Sequence, residues 1–75
     1  MNRYVVTKDN LAQLNAQKGF APGQLEDDLA ECEARGCQLL VVSDGIENWW
    51  SFWLAPSANL TVKQAFRLIK EELKL

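Results

Sequence analysis

The side chains in this chain that could do chemistry are few. They are Cys32 and Cys37, the carboxylates Asp44 and Glu47 near a glycine, and four cations, Lys63, Arg67, Lys70 and Lys74. There is no His, which removes the commonest general base near neutral pH and the usual activator of a Ser or Cys nucleophile. Cys32 falls late in a helical stretch, where the helix dipole raises a thiol pKa, and Cys37 opens a strand-like apolar run. Both read as reduced, quiet core fillers. Two thiolates without imidazole fall short of the ligand set of a structural zinc, and a bridge between them would close too short a loop to add much stability. Asp44 and Glu47 form the minimum of an acid/base pair or weak cation site, but Asp-Gly at a turn already accounts for Asp44. No GxGxxG, GxxxxGK[ST] or GxSxG pattern is present. No catalytic, cofactor-binding or metal-ligating residue is assigned, and the expectation is a protein that is not an enzyme.

Charge is segregated along the chain. Glu26, Asp27, Asp28, Glu31 and Glu33 against Arg35 leave one segment at −4, while Lys63, Arg67, Lys70 and Lys74 against Glu71 and Glu72 leave another at +2. The four cations recur at helical spacing, so they line one edge of a helix. Such strips are usually solvated faces. The functional alternatives are contact with nucleic acid or with an acidic protein segment. The acidic segment could in turn imitate a phosphate backbone and occupy a nucleic-acid-binding protein. A formal net charge of −2 weighs against a partner held mainly through phosphates.

The elements that position these residues follow from periodicity and breakers. Tyr4 to Thr7 is β-branched or aromatic and predicts a first strand. From Asp9, a candidate cap, Leu11 and Leu14 predict a short helix that stops at Gly19, with Phe20 closing back onto Leu14. A second helix is predicted over Pro22 to Arg35, with Leu25, Leu29 and Cys32 as its apolar stripe and Gly36 as its end. Two strand-like runs flank Asp44-Gly45, a type I′ dipeptide, and predict a β-hairpin. Pro56 ends its second strand. Thr61-Val62-Lys63-Gln64 is a capping-box pattern opening a third helix with Val62, Phe66, Ile69 and Leu73 on its stripe and Ala65, Leu68 and Leu75 widening it. The order is β-α-α-β-β-α, a single small α+β domain over residues 1–75 with an antiparallel hairpin-containing sheet packed against helices.

With Asp44-Gly45 as the two loop residues, Ser43 pairs with Ile46, Leu40 with Trp49, and Leu39 with Trp50. One hairpin face then carries Cys37, Leu39, Val41, Trp50, Phe52 and Leu54, the expected core. The other carries Trp49, Trp53, Leu40 and Val42, too apolar to be left in water. Either the first helix covers that second face or it is a partner-binding surface, and a bulge or a longer loop would change the pairing altogether. The favoured expectation is a protein-binding or regulatory module that self-associates through Trp49, Trp53, Leu40 and Val42, most simply as a homodimer. A chain of 75 residues builds one modest core and gains stability by association. The opening MNRYVVTKDN has no signal-like apolar run and no stretch reaches membrane-span length, so a cytoplasmic protein with no membrane association is expected.

Overall fold

The structure is a computed structural model that describes residues 1–17 and 19–75. The elements in chain order are β1 (Asn2–Val5), α1 (Leu11–Asn15), α2 (Gln24–Arg35), β2 (Gln38–Ser43), β3 (Trp49–Leu54), a 3-10 turn (Pro56–Ala58) and α3 (Val62–Leu73). The three strands form an antiparallel sheet in the order β1-β2-β3, so the protein is a small α+β domain.

Why β2 is the central strand is plain from its composition. Leu39, Leu40, Val41 and Val42 are consecutive aliphatic residues, and in a pleated strand consecutive side chains leave opposite faces, so both faces of β2 must be covered. Leu39 and Val41 enter a cluster with Leu14, Leu25, Leu29, Cys32 and Val6. Leu40 and Val42 enter a second with Ala65 and Phe66, flanked by Val62, Ile69 and Leu73. The sheet therefore lies between α1 and α2 on one side and α3 on the other.

The helix ends follow the chemistry of their caps. Thr61 Oγ1 accepts from Gln64 N at 3.1 Å while Gln64 Oε1 accepts from Thr61 N at 2.8 Å, so the capping box forms. Gly36 ends α2 at φ 70°, a left-handed conformation that glycine adopts without a Cβ penalty. The first half of the chain departs further from expectation. The first strand runs over Asn2–Val5 rather than Tyr4 to Thr7, and α2 begins at Gln24, after Pro22, with Gly23 as its cap. Asn10, not Asp9, holds the cap position of α1, yet its side chain turns back: Oδ1 accepts from Thr7 N at 2.8 Å and Nδ2 donates to Val5 O at 2.9 Å. It staples the end of β1 instead of capping the helix. The expected run of α1 to Gly19 is shorter in the structure: the helix ends at Asn15 with Ala16 as its cap, and residue 18 beyond it lies outside the described residues. On α3, Leu68 and Leu75 are exposed, so only Ala65 of the expected second row widens the core face.

The hairpin register is the main correction. Ser43 pairs with Trp49, Val42 with Trp50, Leu40 with Phe52 and Leu39 with Trp53, leaving residues 44–48 as the loop. Asp44 holds this wider loop together. Its Oδ1 accepts from the N–H groups of Ile46 (2.8 Å), Glu47 (3.1 Å) and Asn48 (3.1 Å), and its Oδ2 accepts from Asn48 Nδ2 at 2.8 Å. Ser43 Oγ adds a bond from Gly45 N at 2.9 Å, with Gly45 at φ 81°. Moving Trp49 from opposite Leu40 to opposite Ser43 is an odd shift, so β3 turns over and each of its side chains changes face relative to β2.

Two measurements check this architecture. Phe66 is buried against the sheet and belongs to the capped helix, so Phe66→Ala is expected to cost about 3–5 kcal/mol in urea melts. A loss under about 1 kcal/mol, the scale of a surface substitution, would contradict the packing. The hydrogen bonds to Asp44, that from Ile46 foremost, hold its carboxyl below the usual value of 3.8. A carboxylate whose folded pKa is depressed contributes stability above its unfolded pKa and loses it as pH falls through the folded one. Asp44→Ala should therefore be less stable than the parent at neutral pH, with the gap closing below about pH 4. A gap that stays constant down to the acid limit would count against the Asp44-centred loop.

Candidate functional site

The corrected register separates the four residues expected to form one contact surface. Leu40 and Val42 lie on the α3 side at 1% and 0% exposure, so they are core and no part of a surface. Trp49 and Trp53 lie on the opposite side, with α1 and α2. The structure thus brings the two tryptophans together on one face and removes the two aliphatic residues from it.

Trp49 is half-buried. Its ring stacks on Tyr4 at a centroid distance of 6.0 Å and meets Phe20 edge-on at 6.1 Å, distances suited to aromatic pairing. Gly19 passes so close that a Cβ there would stand 2.5 Å from the Trp49 Cβ, so glycine is required for this approach. Trp53 is 39% exposed. Arg35, from the last turn of α2, sets its guanidinium carbon 5.8 Å above the Trp53 ring and donates from Nη2 to Glu31 Oε1 at 3.1 Å. Arg35 is itself exposed, and the ring beneath it stays partly in water.

Both tryptophans belong to β3, which forms one border of the sheet. Its six residues, Trp-Trp-Ser-Phe-Trp-Leu, include no charge and no proline, and its register against β2 runs without a bulge from Trp49 to Leu54. None of the six is fully buried, although Trp50, Phe52 and Leu54 pack on the α3 side. Edge strands in isolated domains are usually protected by charge, proline, a bulge, shortness or a covering helix or loop. Strand β3 has none of the first four, and among the described residues its near neighbours on the α1–α2 side include Gly19 at Trp49 and Arg35 at Trp53. The other border, β1, is four residues long and carries Arg3. Reasoning from sequence missed Trp50 and Ser51 as edge residues, because strand order decides which strand lies outermost. The uncharged run from Trp49 to Leu54, preceded by Asp44 and Asn48 as paired turn formers, was the available signal.

Lys63, Arg67, Lys70 and Lys74 are all exposed along the outer side of α3, and among the described residues none has a carboxylate within 4.0 Å. Glu26, Asp27, Glu31 and Glu33 are exposed on α2 across the sheet, and Asp28 is half-buried there. The two outer layers therefore carry opposite charge. Burial, and then the neighbouring Glu31 and Asp27, push the Asp28 carboxyl above its ordinary value. Asp44 is committed to its loop, and among the described residues no cluster of three potential metal ligands occurs. No helix among the described residues is long and apolar enough to cross a membrane. Comparison with protein-family models, with curated proteins and with solved structures finds no match for this chain.

Cys32 is buried at the α2–sheet contact, and Cys37 is half-buried before β2, its Sγ 3.9 Å from Arg35 O. Burial pushes the Cys32 thiol up, reinforced by Cys37 and the carboxylates of Asp28 and Glu31 and opposed by Arg35. Thiolate is the reacting form, so Cys32 should label only as the protein opens, and Cys37 should label first. Mass-resolved labelling of the folded protein tests this, and rapid modification of Cys32 would contradict its placement.

Proposed function

We propose that this chain is a non-enzymatic protein-binding module that captures its partner by strand addition along β3. The observation that carries the reading is the open border of β3, aromatic, uncharged and unprotected, with Trp53 half out of water. Strand addition draws affinity from main-chain hydrogen bonds and specificity from side chains alternating on the two faces, and Trp is enriched among residues that dominate binding energy. Trp49, Trp50, Ser51, Phe52 and Trp53 are the contact residues in this reading, with Trp49 and Trp53 retained from the sequence and Leu40 and Val42 serving as core.

A second reading places nucleic acid or an acidic protein segment on Lys63, Arg67, Lys70 and Lys74, and its support is the unpaired strip they form on α3. The two readings respond oppositely to salt. Phosphate contacts weaken steeply as salt rises, whereas main-chain pairing and aromatic burial do not. Crosslinked capture of a partner chain, a second copy included, is expected to persist at high salt, to persist in Arg67→Glu/Lys70→Glu, and to fail in Ser51→Lys, which places a charge on the border. Capture that disappears at high salt and in the α3 variant, yet survives in Ser51→Lys, overturns strand addition in favour of the basic strip.

A further inference from the structure

The hydrogen-bond phase of the sheet shows which main-chain groups face outward along β3. Val6 N donates to Leu39 O at 2.9 Å on the β1 side, and Asp44 N donates to Asn48 O at 3.2 Å on the β3 side. In an antiparallel ladder, successive residues aim their N–H and C=O at opposite neighbours. Leu39, Val41 and Ser43 therefore bond toward β1, while Leu40, Val42 and Asp44 bond toward β3. With the observed pairing, Trp50, Phe52 and Leu54 bond inward to β2, and Trp49, Ser51 and Trp53 direct their N–H and C=O away from the sheet. Apart from the strand ladders, no backbone group of Trp49, Ser51 or Trp53 has a hydrogen-bond partner among the described residues.

We propose that this border pairs with the same border of a second copy of the chain, antiparallel about a two-fold axis passing by Ser51, to form one continuous sheet across the dimer. The inference rests on the strand-addition reading above and names its partner. A two-fold axis perpendicular to the sheet keeps each face on its own side, so outward-bonding residues meet only outward-bonding residues. Ser51 opposite Ser51 and Trp49 opposite Trp53 uses all three outward residues of each copy as hydrogen-bonded pairs. A slip of two residues in either direction leaves one of those pairs unmade.

The same register gives the side chains their best match. Trp49 meets the second copy's Trp53 on the α1–α2 side, and Trp50 meets its Phe52 on the α3 side, so every opposed pair but the central one is aromatic. Ser51, small and polar, occupies the crossing point, where a large side chain would face its own copy. Two identical uncharged strands carry no repulsion against this pairing, whereas β1 would bring Arg3 toward its own copy. Closure about a two-fold axis also consumes the β3 border of both copies at once and leaves only the short β1 borders exposed.

The test is light scattering coupled to size exclusion on the full chain, with circular dichroism on the same samples. The parent is expected to be dimeric, and Ser51→Lys should raise its dissociation constant about tenfold or more, because like charges then stand directly opposite. Since that variant could lose its fold, Ser51→Cys in a Cys37→Ser background provides a second readout. Cα atoms opposed in a hydrogen-bonded pair lie about 5.5 Å apart, within disulfide range, so mild oxidation should give a covalent dimer, with Ser57→Cys in the same background staying monomeric. A parent that is monomeric at every concentration, or a Ser51→Cys variant that crosslinks no better than Ser57→Cys, overturns the dimer. If such a monomer still captures a partner that Ser51→Lys cannot, strand addition stands and only the second copy is wrong.

Discussion

Everything in this fold depends on burying β2 from both sides. Leu39, Leu40, Val41 and Val42 project alternately to opposite faces, and each face must be removed from water by a separate layer. A chain this short meets the demand by dividing its helices, α1 and α2 against one face and α3 against the other. The consequence is two thin cores in place of one thick one. Each depends on a few large side chains, Leu14, Leu25 and Cys32 on one side, Phe66 and its neighbours on the other.

Spending the helices on the two faces leaves the borders of a three-stranded sheet uncovered. Among the described residues the sheet has three strands with β1 and β3 as its borders, and β3 is the longer and more apolar border. Its open side and its aromatic composition are thus two results of one constraint. The strand packs Trp50, Phe52 and Leu54 under α3 and Trp49 under Tyr4 and Phe20, and still leaves main-chain groups along its outer line. In the isolated chain those groups are left to water, which an added strand would replace. The acids lie on one outer layer and the bases of α3 on the other, and no charged side chain belongs to β3, although Arg35 of α2 lies over Trp53.

The face assignment shows how a small local choice propagates. Asp44-Gly45 reads as a two-residue turn because it is a favoured dipeptide there, but Asp44 instead uses its carboxylate to gather three successive N–H groups and the Asn48 amide. The wider loop lets Ile46, 86% exposed, stand at the tip and brings Trp49 opposite Ser43. Since strand side chains alternate, that shift carried Trp50 and Phe52 to the face of Leu40 and Val42. It also dissolved the surface expected from Trp49, Trp53, Leu40 and Val42.

Local chemistry was legible from the residues alone. The element order, the capping box of Thr61 and Gln64, the left-handed stop at Gly36, and the stripes Leu25-Leu29-Cys32 and Val62-Phe66-Ile69-Leu73 all depend on interactions within a few residues, and the structure contains each of them. What the tertiary structure alone decided was the pairing of β3, the strand order and hence which residues are core and which form a border. The physical reason is that a turn with competing side-chain acceptors has nearly equivalent local solutions. The choice among them is made by burial of side chains far along the strands and on other elements, and that burial exists only once the helices have packed against both faces.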